Sequence, residues 1–202
     1  MNRRAQSYPG VGAAIFIPAE AWERTLAVVR TYQRESSEAL VFWGGMVTGE
    51  AVQVTGVYVV GHDPQGGTVR PTPSETRWLV RRLRERDEKL VAQVHSHGGS
   101  AFHSSGDDER AASFHPGYLS VVVPRFGRGV RDLQDCAVLE FDGGGFRGMG
   151  VEEAARRVRV LPLVDERPGG FRARRRRKRG WITSIASSLR ARLTGPRRHS
   201  GP

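Results

Sequence analysis

The sequence predicts an α/β domain in which strands and helices pack around one core, followed by a separate basic tail. Two observations predict the domain. Apolar residues at helical spacing alternate along the chain with runs rich in β-branched and aromatic residues, and glycine and proline clusters punctuate the two kinds of segment. A third observation sets the tail apart. Residues 172–202 carry 11 basic and no acidic side chains, which is the whole of the net charge of +11. A neutral body with a basic appendage differs from a nucleic-acid-binding domain, whose basic side chains are spread over a folded face.

The 202 residues suffice for one well-buried domain and a tail, and are too few for two large domains. Hydrophobic residues at 38% and charged residues at 26% place the body in the globular class. No apolar run approaches the roughly 20 residues of a membrane-spanning helix. The stretch VGAAIFIPA after Arg3 and Arg4 superficially resembles a signal-peptide core, but Pro18 interrupts it. It reads better as a strand entering a helix with proline in its first turn. The single cysteine, Cys136, cannot form an internal disulfide, and its strand-like neighbours CAVLEF suggest an inert thiol in a reducing cytoplasm.

Each element follows from local pattern. Trp22, Leu26, Val29 and Tyr32 mark the inner face of a helix over residues 19–33. EALVFWGGMVTG and AVQVTGVYVVGH form a strand pair turning at Gly49 and Glu50. Ser74 caps a second helix that runs to Lys89, with Trp78, Leu79 and Leu83 inward. LVAQVHSH is a buried strand ending in polar residues, and the loop after it leads to a short helix opening at Ser105. YLSVVVP, DCAVLEF and GFRGM supply further strands, VEEAARRV a short helix, and Pro168 to Gly170 close a body of residues 1–170.

The chemistry lies at the end of LVAQVHSH. Side chains two apart on a strand point to one side, so His95 and His97 converge on a single ion. Asp108 stands in the first turn of the following helix, where free backbone donors and the helix dipole favour a carboxylate, and supplies a third ligand. Three protein ligands and an open position are the pattern of catalytic zinc, which lowers the pKa of a bound water to about 7. Glu38, opening the strand EALVFW, is the candidate proton acceptor and donor, and Ser105 the candidate donor to a developing oxyanion. A purely structural reading remains beside this one, since Ser105 and Asp108 also fit a helix cap. His103 suits a supporting or surface role, and His62, His115 and His199 are bystanders.

The stretch HSHGGSAFHSSGDDE, with a glutamate before an upstream strand, resembles the motif of the JAMM (JAB/MPN-plus) zinc metalloproteases: His-x-His, seven residues, Ser, two residues, Asp. The resemblance covers roughly residues 12–160. It implies one JAB/MPN domain with a central mixed, curved β-sheet flanked by helices. It also implies one catalytic Zn2+ on His95, His97 and Asp108, acid/base work by Glu38 and oxyanion support by Ser105. Two features depart from the pattern. Gly98 stands where many members have proline, and Ser104 with Asp107 repeats the Ser-x-x-Asp spacing one residue earlier. The substrate class implied is a ubiquitin-like protein or its conjugate, cleaved from a target or trimmed from a precursor. The short connection after YLSVVVP leaves a sulfur-carrier-protein adduct equally admissible. The alternative is an inactive scaffold of the same fold. The tail over residues 171–202 joins a polybasic run to an apolar helical stripe of Trp181, Ile182, Ile185, Leu189 and Leu193. From Arg172 to Arg198 it suits an anionic membrane surface, nucleic acid or an acidic protein.

Overall fold

A computed structural model of the chain describes residues 8, 10–33, 37–60, 71–102, 107 and 111–162. The chain divides into a body of residues 1–164 and a C-terminal unit of residues 165–202, none of which is among those described. The expected tail helix and the Pro168–Gly170 boundary therefore lie outside the described residues.

The body is an eight-stranded mixed sheet between helices. Its strands are β1 (Ala14–Pro18), β2 (Leu40–Thr48), β3 (Ala51–Val59), β4 (Lys89–Ser96), β5 (Leu119–Val123), β6 (Ala137–Phe141), β7 (Phe146–Gly148) and β8 (Val158–Leu161). Among the described residues its helices include α1 (Ala19–Tyr32), α2 (Pro73–Glu85) and α3 (Val151–Arg157). The spatial order is β7-β6-β5-β4-β2-β3-β1-β8. β1 runs parallel to β3 and β8, β4 runs parallel to β5, and the remaining pairs are antiparallel.

Alternation along β2 divides the core. Val41 and Trp43 enter the larger cluster with Trp22, Leu26 and Val29 of α1, while Leu40 and Phe42 enter a smaller one with Leu79 and Leu83 of α2. Helices thus cover both faces, as a central sheet buried on two sides requires. Trp43 is fully buried, a burial of about 2–3 kcal/mol, and its indole N–H donates to Thr25 Oγ1 at 2.9 Å. That bond supplies the partner a buried indole needs. The hairpin turns at Gly49, whose φ of 63° is the left-handed conformation glycine adopts without strain.

The second helix departs from expectation at both ends. Its cap is Thr72, not Ser74. The Thr72 hydroxyl accepts from Glu75 N–H, the Glu75 carboxylate accepts from Thr72 N–H, and Pro73 occupies the first turn. It stops at Glu85 instead of Lys89 because Asp87 turns left-handed (φ 55°) and Glu88 N–H returns to Leu83 C=O at 2.9 Å. Lys89 then opens β4. No described helix is long and apolar enough to cross a membrane.

Candidate metal centre

His95 and His97 sit at the C-terminal end of β4. His95 is level with Leu40 of β2 on one side and Val122 of β5 on the other, so its backbone is held from both neighbouring strands. Both histidines are buried, with ring centroids 5.0 Å apart. A single carboxylate spans them: Asp107 Oδ1 lies 3.6 Å from His95 Nε2 and Oδ2 lies 3.6 Å from His97 Nε2. The three ligand atoms fall within 4.8 Å of one another. A separation of 3.6 Å is too long for a hydrogen bond. It is close to the edge of a tetrahedron with bonds of about 2.0–2.1 Å, on the order of 3.4 Å. The spacing and the donor chemistry therefore fit a divalent ion of the zinc class.

Among the described residues, the carboxylate in this cluster is Asp107. It belongs to the earlier of the two Ser-x-x-Asp registers, whereas the motif interval favours Asp108. Asp108, Ser105, Ser104 and His103 lie outside the described residues, as do His62 and His199. His115 is set apart from the cluster, its ring nitrogens against the carbonyls of Leu90 and Pro116. Cys136 has its thiol pushed up to about 12, by burial first and by Asp135 and Asp132 second, which removes its nucleophilic form at neutral pH.

Glu38 is half-buried and precedes β2. Its position is set by a reciprocal pair of bonds next door: Ala39 N–H donates to Ser96 Oγ at 2.9 Å, and Ser96 N–H donates to Ala39 C=O at 3.1 Å. Continuing the register from Leu40 opposite His95 and Ala39 opposite Ser96 sets Glu38 level with His97. Ser96, fully buried between the two histidines, was not singled out by sequence reasoning. A small hydroxyl residue between two convergent histidines was the available signal.

Two further supports were also missed. Gln93, on the same face of β4 as His95, accepts from Ala112 N–H at 3.1 Å and donates to Ser120 Oγ at 3.2 Å, tying the segment after Asp107 to the floor of the sheet. Beyond His97, the turn Pro124–Gly127 grips the outgoing loop: Phe126 N–H donates to His97 C=O and Arg125 N–H to Gly99 C=O, each at 2.8 Å. Arg125 and Phe126 are both left-handed, with φ of 50° and 51°, which costs non-glycine residues of order 1–3 kcal/mol each. Arg30 of α1 stabilises this turn by donating to Gly127 C=O and Val130 C=O at 3.2 and 2.7 Å. The Phe126 ring lies where a side chain on residue 98 would go, since a Cβ there would stand 2.9 Å from Cζ. Glycine after the second histidine is thus matched to Phe126. The Phe102 ring meets His97 edge to face at 4.9 Å and is 55% exposed.

Residues 19–134 match the family model described as prokaryotic homologs of the JAB domain. The chain is 30% identical over 134 residues to the "Probable metalloprotease y4jG" of Sinorhizobium fredii, covering 63% of this chain and 82% of that protein. Among solved structures it is similar to that of protein DSY2949 from Desulfitobacterium hafniense. That similarity has a TM-score of 0.58 at 19% identity and covers 75% of this chain and 95% of the other. At that identity the likeness concerns the fold.

Proposed function

The chain belongs to the family of prokaryotic JAB-domain homologues, and from that premise we propose that it is a zinc-dependent peptidase. Its favoured substrate is a ubiquitin-like protein joined to a target or still in precursor form. The observation that carries the proposal is the convergence of His95, His97 and Asp107 at the spacing of a metal shell. The similarity to a protein named as a probable metalloprotease supports the same reading.

In this reading His95 and His97 would hold the ion through Nε2 and Asp107 through a carboxylate oxygen. A zinc ion held there would supply acidification of a water and polarisation of the carbonyl under attack. Glu38, level with His97, takes the proton of the attacking water on its carboxylate and returns it to the leaving amine nitrogen. A serine of the 104–105 pair donates to the oxyanion, Ser105 by the motif interval and Ser104 by the register that contains Asp107. Glycine at residue 98 leaves room for Phe126, which holds the loop after His97 against the sheet. A metal-free scaffold has no use for the convergent donor set, and this disfavours it. The lone thiol is the ground for placing the protein in the cytoplasm. The basic tail from Arg172 to Arg198 we assign to an anionic partner, a membrane surface, nucleic acid or an acidic protein.

Metal analysis of the purified chain, paired with hydrolysis of a ubiquitin-like conjugate, tests the proposal. Wild type holds one divalent ion per chain and cleaves. Glu38→Gln keeps the ion and loses hydrolysis by about 100-fold or more, whereas His97→Ala loses both. Cleavage that survives in both variants sinks the mechanism. Cleavage of a generic peptide with no action on the conjugate removes the substrate class alone.

A further inference from the structure

The ladder between β2 and β4 ends in an irregular pair. With Leu40 opposite His95, Ala39 falls opposite Ser96, at a position where an antiparallel ladder exchanges two backbone bonds. One of the two is regular, from Ser96 N–H to Ala39 C=O at 3.1 Å. In the other, Ala39 N–H donates to the Ser96 hydroxyl oxygen at 2.9 Å instead of to a backbone carbonyl. β2 begins only at Leu40, so a side chain serves as the acceptor at the point where the incoming chain joins the sheet. Glu38 is the next residue out.

The hydroxyl works from the reverse side of the sheet. Side chains alternate along β4, so Ser96 points away from the face that carries His95 and His97. Ala39 joins the cluster packed on α1, whereas Leu40, opposite His95, joins the cluster packed on α2. Ala39 and Ser96 are both fully buried. A substrate on the histidine face therefore does not touch Ser96, and the Ala39 N–H depends on an acceptor within the protein. Without the hydroxyl that N–H is left unpaired or drawn onto the Ser96 carbonyl, and either change moves the backbone of Glu38 relative to His97. Resting on the reading of Glu38 as the acid/base group, we propose that Ser96 is a positioning residue. Its hydroxyl fixes where the Glu38 carboxylate meets the attacking water, and it governs proton transfer without holding the ion.

Amide hydrogen exchange by NMR and steady-state hydrolysis, both on the full chain, test this. In the metal-free wild type the Ala39 amide exchanges slowly, and exchange within about tenfold of the free-chain rate overturns the proposal, since the bond to Ser96 is then not held. On a ubiquitin-like conjugate, Ser96→Ala keeps its zinc and a KM within about twofold of wild type, and loses kcat by about 10–100-fold. Ser96→Thr, which retains the hydroxyl, recovers kcat to within about threefold. Beside Glu38→Gln, Ser96→Ala costs nothing further, because the group it positions is already gone. A kcat for Ser96→Ala within about twofold of wild type, an equal further loss beside Glu38→Gln, or a loss that follows zinc content each overturns the proposal. A wild type that holds zinc and fails to hydrolyse overturns the peptidase reading and this inference with it. An active, Glu38-dependent wild type that is indifferent to Ser96→Ala overturns this inference alone.

Discussion

Asp107 reaches both imidazoles through its two oxygens, each 3.6 Å from an Nε2. Removing that charge removes one of three metal donors, so Asp107→Asn should lower zinc affinity by at least about tenfold, measured by competition with a chromophoric chelator. Asp108→Asn should leave the affinity near wild type, and the opposite ranking would restore the later register. The two histidines were legible because a period of two on a buried strand dictates convergence. The carboxylate is open between two registers, because Asp107 and Asp108 are chemically equal and each follows a serine by three; the motif interval favours Asp108, and Asp107 is the one among the described residues that meets the histidines. The fit between residue 98 and Phe126 is equally local. Gly98→Ala drives a Cβ to within 2.9 Å of the Phe126 ring and should cost about 1–3 kcal/mol. That cost should shrink when Phe126→Ala is also present. Urea midpoints of the two single variants and the double variant measure the coupling.

At the scale of elements, β4 serves as a bench on which other segments are fixed. Gln93 holds Ala112 and Ser120, and the Tyr118 hydroxyl reaches the same amide oxygen at 3.5 Å. Gln93→Leu leaves Ala112 N–H and Ser120 Oγ without this partner and should cost about 1–3 kcal/mol. Because Ala112 follows Asp107 by five positions, the same change should weaken zinc binding while leaving the histidines in place. Equilibrium dialysis of the folded variant reads this, and unchanged metal affinity would reduce Gln93 to a packing role. Most elements were legible from periodicity, including the hairpin at Gly49 and the short helix α3. The end of α2 was not, since Arg86, Asp87 and Glu88 continue a charged helical face in sequence while Asp87 adopts a left-handed turn. The strand β8 was missed because four residues with one buried position carry too little alternation to announce themselves.

Across the whole molecule, two weak acids, the half-buried Cys136 and the buried Tyr58, make stability fall on the alkaline side. Burial pushes the Cys136 thiol from 9.0 up to about 12, and burial together with Glu88 pushes the Tyr58 hydroxyl from 10.0 up to about 12. The unfolded chain releases these protons near 9 and 10 while the folded chain keeps them. The stabilisation is therefore complete below pH 9.0 and disappears as pH rises through about 12. Urea midpoints across that range should decline, and Cys136→Ala should flatten the decline by removing one of the two contributions. The mixed strand order reaches beyond equilibrium stability. Ile15 of β1 lies beside Val158 of β8, so the outermost parallel pair joins opposite ends of the folded body. A chain emerging from the ribosome holds its first strand ready long before the last one exists. Until residue 161 is made, Ile15 and Ile17 border an unfinished margin of the sheet, open to chaperones and to mispairing. Completion is then a late, slow event set by contact distance along the chain.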